Sequence, residues 1–197
     1  LAETRKPAAR GKRERLTQAA VDLAHRQGYR SVTLADLAEA SDVPLGNIYY
    51  YFKSKDDIGQ AVLERRLGEV AMMQQALSAL PTPLERLLGF VEHTIGNAAL
   101  VAEQGCPLGS LSAEMSKHDR DWAASARGLL GGPMEWMEEQ FAEMGFSAEA
   151  GDMALQLQSS LQGASILAQS MGDPELLVRE CRRLQGWLRG LGGGTPT

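Results

Sequence analysis

Residues 33–55 read TLADLAEASDVPLGNIYYYFKSK, and the fold turns on how this stretch is parsed. Thr33 is a good helix N-cap, and Asp36, three residues on, completes a variant of the capping box. A short helix is predicted from Leu34 to about Ala40, burying Leu37 and Ala38. Ser41-Asp42-Val43 then makes a tight turn. Pro44 suits the opening of the next helix, where its missing N–H is not needed. That helix covers about Leu45 to Phe52. Two short helices joined by so tight a turn form a helix-turn-helix, here about residues 33–52.

The second of these helices is unusual for a buried element. Ile48 and Phe52 stand four apart and point inward together, while three consecutive tyrosines cannot all face one core. Tyr49 has two readings, core and surface. Leu45, Asn47, Tyr50 and Tyr51 face elsewhere, and Gly46 leaves room for close approach. Tyrosine hydroxyls with Lys53 and Lys55 suit phosphate contact, and an asparagine amide can read a base edge.

On the N-terminal side, Leu16, Ala19, Ala20, Leu23 and Ala24 form one apolar stripe of a helix from about Gly11 to Gln27, stopped at Gly28. On the other side, Lys53-Ser54-Lys55 is a turn. Asp56-Asp57 open a long fourth helix to about Leu80.

Charge separates along the chain. The 197 residues carry a net −5, which argues against nucleic acid as a partner. Residues 1–66, however, hold 12 basic and 9 acidic groups, net +3, and residues 67–197 hold 8 and 16, net −8. Residues 1–10 read as a flexible basic arm, with DNA contact and a solvated tail both open. Apolar residues at 44% provide for a core, and sparse β-branched runs with abundant Ala, Leu, Glu, Gln and Met favour an all-α fold. No apolar run approaches a membrane span, so no membrane partner is expected. With no signal-peptide core, the expected compartment is the cytoplasm. Two distant cysteines, Cys106 and Cys181, make no disulfide framework, and the scattered His25, His93 and His118 suggest no metal. No cofactor is expected.

Residues 12–66 resemble the DNA-binding domain of the TetR family of bacterial transcriptional regulators. The resemblance is carried by Ala19-Ala20, Gly28-Tyr29, Val32-Thr33, Asp36-Leu37-Ala38 and the run from Val43 to Lys55. Pro44 stands where the family often has a Ser cap, and Tyr51 where it often has His. The resemblance implies an all-α homodimer that binds double-stranded operator DNA and carries a variable C-terminal domain. It also implies that Thr33, Leu34, Pro44, Leu45, Gly46, Asn47, Tyr49, Tyr50, Tyr51, Lys53 and Lys55 meet DNA.

The expected organisation is a helix-turn-helix domain over residues 11–66, an effector-binding and dimerisation domain over 67–191, and a disordered tail over 192–197, with about nine helices in all. After the break at Pro81-Thr82-Pro83, a stripe from Leu84 to Ala98 predicts a helix to about Ala99. Pro107 marks a helix start with Cys106 at or next to its N-cap. Residues 119–144 form another helical stretch, which Gly131-Gly132-Pro133 should kink or interrupt. Ser147 is expected to cap the next helix, to about Met171, and Asp173-Pro174 to open the last.

Met153, Leu157, Leu161, Ala164 and Leu167 line the penultimate helix, and Leu177, Cys181, Leu184, Leu188 and Leu191 repeat at 4-3-4-3 in the last. Such narrow seams suit pairing with a second copy, the dimer seam being Met153, Leu157, Leu161, Ala164, Leu177, Cys181, Leu184 and Leu188. The alternative is that both stripes face their own core. An unknown small-molecule effector is expected among the middle helices, against Phe90, His93, Thr94, Asn97, Cys106, Met115, Trp122, Trp136, Met137 and Gln140.

Cys106 has two readings. A thiol at a helix N-terminus suits an electrophile or redox sensor. A small side chain in a tight turn is the structural alternative. An enzyme using Cys106 with His93 or His118 lacks a third orienting residue, so no enzymatic activity is expected. The function these signals favour is a ligand-responsive DNA-binding regulator, read as a repressor, although an activator shares all these motifs.

Overall fold

The computed structural model describes residues 7–117 and 120–192. Among these residues the chain is helical, with no strand. The helices are α1 (Pro7–Gln27), α2 (Leu34–Ser41), α3 (Leu45–Tyr51), α4 (Lys55–Ser78), α5 (Pro83–Gly96), α6 (Ala98–Gln104), α7 (Pro107–Met115), α8 (Arg120–Glu143), α9 (Ala150–Met171) and α10 (Pro174–Gly192), with a single 3-10 turn at Tyr29–Ser31. The first helix starts earlier than the expected Gly11. Helix α1 already begins at Pro7, and residues 1–6 lie outside the described residues, as does the tail from residue 193.

Local chemistry accounts for most helix ends. The Thr33 hydroxyl accepts from the Asp36 amide at 3.1 Å while the Asp36 carboxylate accepts from the Thr33 amide at 2.9 Å. Thr82 and Glu85 repeat this reciprocal cap at α5. Ser54 caps α4 through the Asp57 amide. Asp42 closes α2 in the left-handed conformation, φ 53°, which turns the chain into α3.

Three expectations change. The helix foreseen from Leu84 to Ala99 divides at Asn97 into α5 and α6. The Asn97 side chain donates back to the His93 carbonyl at 2.7 Å, and such a local bond competes with the helix ladder. Helix α8 is not interrupted at Gly131-Gly132-Pro133. Ser147 does not cap α9, which begins at Ala150 after a turn in which the Glu149 amide bonds the Phe146 carbonyl.

Two apolar cores organise the molecule. The first gathers Leu16, Tyr29, Leu37, Ile48, Phe52, Ile58 and Leu63, and extends to Leu111, Met115, Ala126 and Leu129 of α7 and α8. The second gathers Leu87, Phe90, Trp136, Met137, Phe141, Leu157, Leu161, Leu177, Cys181, Leu184 and Leu188. The helix-turn-helix segment therefore shares its core with helices from the second half of the chain.

The seam residues have a different place from the one expected. Leu157, Leu161, Ala164, Leu177, Cys181, Leu184 and Leu188 are buried inside their own chain, and Met153 packs against that same core. They are closed to a second copy because α9 and α10 pack on each other, and α8 and α5 cover the rest. The solvent face of α9 instead carries Leu155, Ile166, Leu167 and Met171, each more than half exposed.

Candidate nucleic-acid interface and ligand cavity

Helix α3 is anchored by one residue and presents the rest. Ile48 is fully buried in the first core, and Phe52 just beyond the helix joins it. Leu45, Tyr49 and Tyr50 are 48%, 55% and 69% exposed. Pro44, Gly46 and Asn47 are exposed on the same short element. Nothing lies within 4 Å of where a Gly46 side chain would begin. Tyr49 thus belongs to the surface. Tyr51 is half-buried and meets the Tyr50 ring edge-on, with centroids 5.1 Å apart. An apolar and amide face without a covering element is what a helix needs to enter a groove.

The flanking cations are tethered. Lys53 Nζ donates to the Tyr49 carbonyl at 2.9 Å and Lys55 Nζ to the Arg30 carbonyl at 2.7 Å. Lys55 Nζ also lies 5.3 Å from the Tyr29 ring centroid. Thr33 is exposed, with its hydroxyl engaged in the α2 cap, and Leu34 beside it is half-buried. All eleven residues expected at DNA therefore lie between Thr33 and Lys55, on α2, α3 and the start of α4. Burial, seconded by nearby Asp56, pushes the Tyr29 phenol well above its ordinary range, so the ring stays neutral and its hydroxyl donates to the Lys55 carbonyl.

A cavity of about 630 Å³ opens between the two cores. Phe90, His93, Thr94, Asn97 and Cys106 line it, as the sequence suggested. The other five expected residues lie elsewhere. Met115 is buried in the first core, and the Trp122 ring meets Tyr29 at a 50° tilt with centroids 5.6 Å apart. Met137 is fully buried in the second core. Trp136 is buried with its indole N–H on the Ser78 hydroxyl at 3.1 Å. Gln140 accepts from Arg86 at 3.1 Å and donates to the Trp136 carbonyl. Large side chains at helical spacing serve packing here.

The remaining cavity wall was missed. His25 and Arg26 of α1, Arg66 of α4, and Gln158, Gln162 and Ser165 of α9 all contribute. Gln158 is 7% exposed, and among the described residues its amide makes no hydrogen bond, so that amide faces the cavity. The α9 residues were legible only as the polar positions beside the Leu157–Leu161 stripe. The α1 and α4 residues carried no signal, since they sit in the other half of the sequence.

Cys106 is half-buried at the N-cap of α7. Its Sγ accepts from the Gly109 amide at 3.4 Å and from Gln162 Nε2 at 3.5 Å. Among the described residues, no cluster of His, Cys, Asp and Glu has the arrangement of a metal site. No helix among them is long and apolar enough to cross a membrane.

Comparison with known proteins places these features. Residues 16–62 match the family model described as bacterial regulatory proteins, tetR family. The chain is 32% identical over 122 residues to the transcriptional regulator AcuR of Cereibacter sphaeroides, covering 58% of this chain and 54% of that one. It is 30% identical over 128 residues to the repressor NemR of Escherichia coli, covering 60% of this chain and 63% of that one. These matches thus span a little over half the length of the curated relatives. Over whole structures the chain is similar to regulatory protein TetR from Rhodobacter sphaeroides, with a TM-score of 0.75, 25% identity and coverage of 88% and 96%. The reduced form of E. coli NemR gives a TM-score of 0.77 at 24% identity, covering 89% of this chain and 95% of that one.

Proposed function

Because the chain belongs to the TetR family of bacterial regulators, we propose that it is a homodimeric, ligand-responsive repressor that leaves a palindromic operator when a small molecule fills its cavity. The observation that carries this reading is the exposed face of α3. Asn47 and Tyr50, with Leu45, meet base edges in the major groove. Thr33, Tyr49, Tyr51, Lys53 and Lys55 meet the flanking phosphates, the two lysines through the ammonium protons that their backbone tethers leave free. Leu34, Pro44 and Gly46 shape the approach.

Two half-sites require two copies, with their α3 helices about 34–36 Å apart. The exposed apolar face of α9, with Leu155, Ile166 and Leu167 beside the small Ser159 and Gly163, joins a second copy, and α10 completes the bundle. The ligand acts only through its different affinity for the two spacings, typically about 1–3 kcal/mol of coupling. Helix α4 links the DNA-contacting segment to the cavity and serves as the lever.

Selection of duplexes from a random library by the purified protein tests this reading. Enrichment of a palindrome with half-sites one helical turn apart is the expected result. A selected pool no tighter than the starting library overturns it.

A second reading concerns the trigger. Cys106 lines the cavity at the N-cap of α7, with its sulfur 3.4 Å from the Gly109 amide and 3.5 Å from Gln162 Nε2, where a reagent entering the cavity meets it. An electrophile or oxidant that this sulfur attacks, losing its proton to solvent, is then the effector. DNA release by such a reagent that is lost in Cys106→Ser supports it, and release that survives the substitution rejects it.

A further inference from the structure

The turn that joins α1 to α2 is held from the other half of the chain. Locally, the Ser31 and Val32 amides bond back within the turn, to Gly28 and Tyr29. The Tyr29 and Arg30 amides do not. Both donate instead to one carboxylate, that of Glu114 in the last turn of α7, at 2.9 Å and 2.7 Å. Hydrogen bonds to an ionised acceptor are the strong kind, and two of them fix the carboxylate's plane against the turn. Gly28 permits the approach. Its φ is +79°, and a side chain there would begin 3.4 Å from the Glu114 carboxylate.

From this turn two bonds continue to the start of α4. The Tyr29 hydroxyl donates to the Lys55 carbonyl, and Lys55 Nζ donates to the Arg30 carbonyl at 2.7 Å. Lys55 is one of the cations assigned to phosphate, and Thr33 lies three residues beyond Arg30. At its opposite end α7 begins with Cys106, Pro107 and Leu108, which line the cavity. Nine helical residues make a rod of about 12–14 Å, too short to bend between its ends.

We propose that Glu114 is a positioning residue for DNA binding: it carries the position of the α7 cavity wall to the α1–α2 turn and, through Tyr29 and Arg30, to Lys55. The proposal rests on the repressor reading and names the contact through which the cavity and the DNA surface communicate. A ligand that displaces the Pro107 end of α7 moves the Glu114 carboxylate with it. The tether on Lys55 then shifts without any change in α3 itself. A carboxylate with a merely structural role would affect unfolding and leave the character of DNA contact alone.

The test measures binding of a fluorescent duplex, selected by the wild-type protein, across a salt series for wild type, Glu114→Ala, Glu114→Gln, Lys55→Ala and the double variant Glu114→Ala/Lys55→Ala. Expected is a loss of about tenfold in Glu114→Ala, with a salt slope flatter by about one, as in Lys55→Ala. In the double variant the two losses should not add, because both act through Lys55. Glu114→Gln keeps an acceptor oxygen and should fall between. It carries the test if circular dichroism finds Glu114→Ala unfolded. Wild-type affinity and slope in Glu114→Ala and Glu114→Gln overturn the proposal. So does a loss that leaves the slope unchanged and adds to that of Lys55→Ala. If the wild type selects no duplex, the repressor reading fails and the proposal with it.

Discussion

Nε2 of His25, on α1, lies 2.8 Å from the carbonyl oxygen of Gly105, the residue that ends α6. Two segments 80 positions apart thus meet at the edge of the cavity. In the neutral imidazole this bond places the proton on Nε2 and leaves Nδ1 as an acceptor. Burial lowers the His25 pKa below its ordinary 6.5; the Gly105 bond opposes this shift, Arg66 adds to it and Asp22 opposes it.

The sign of the pH effect follows. The folded state takes up a proton less readily than the unfolded chain, so this contribution to stability is complete above about pH 6.5 and is lost as the pH falls below it. His25→Gln keeps a donor near Gly105 and removes the titration. Thermal unfolding followed from about pH 7 to about pH 5 should show a shallower decline in the variant. Equal declines would refute the assignment.

Asn47→Ala and Lys55→Ala should separate sequence reading from phosphate contact. Loss of the Asn47 amide should cost about 1–3 kcal/mol on the selected operator and relax the preference at one base pair. Loss of the Lys55 ammonium should weaken all duplexes alike and flatten the salt dependence by about one. Parallel titrations on selected and scrambled duplexes decide between these outcomes. Uniform weakening by Asn47→Ala would remove it from the base-reading set.

The two thiols should behave differently toward an alkylating reagent. Cys106 lines the cavity, whereas Cys181 is fully buried and burial pushes its thiol up to about 11. One thiol should react in the native protein and the second only on unfolding, as counted by mass. Cys106→Ser should abolish the native reaction. The buried Cys181 favours its protonated form, so its share of stability is intact below the ordinary value of 9 and is lost as the pH climbs toward 11. Native labelling of Cys181 at neutral pH would contradict its burial.

Substitutions on the two faces of α9 should part association from folding. Ile166→Glu places a charge on the exposed face, and light scattering should report a monomer with little change in melting temperature. Leu157→Ala empties a fully buried site and should cost about 2–5 kcal/mol in chemical denaturation. A dimer that survives Ile166→Glu together with a charge at Leu155 would move the interface elsewhere.

The helix-turn-helix was legible because its signals are local. The Thr33–Asp36 box, the Asp42 turn, Pro44 and the Ile48–Phe52 pair each act within four residues of themselves, and each has the structural role its spacing implies. What covers the stripe of the last helix was not legible. Leu177, Cys181, Leu184 and Leu188 make one stripe whether that stripe faces a partner or the chain's own α9 and α8. Periodicity reports that a face is covered and is silent on what covers it. The cavity was half legible for the same reason. Phe90, His93 and Thr94 share α5, Asn97 caps its end, and the four were found together, whereas Trp136 and Met137 look alike in sequence and went to the core.

What the chain order settles here is most of its helices, the Thr33 and Thr82 caps and the exposed face between Pro44 and Tyr50, since these depend on neighbours within a turn or two. The assembly of His25, Arg66, Cys106 and Gln158 around one cavity, and the grip of Glu114 on the Tyr29–Arg30 turn, arise from packing. These contacts join residues tens of positions apart, and no local propensity selects which distant carboxylate satisfies an unpaired amide. Burial makes that choice, because in the folded protein each such donor must find its acceptor or bear the cost of lost hydration.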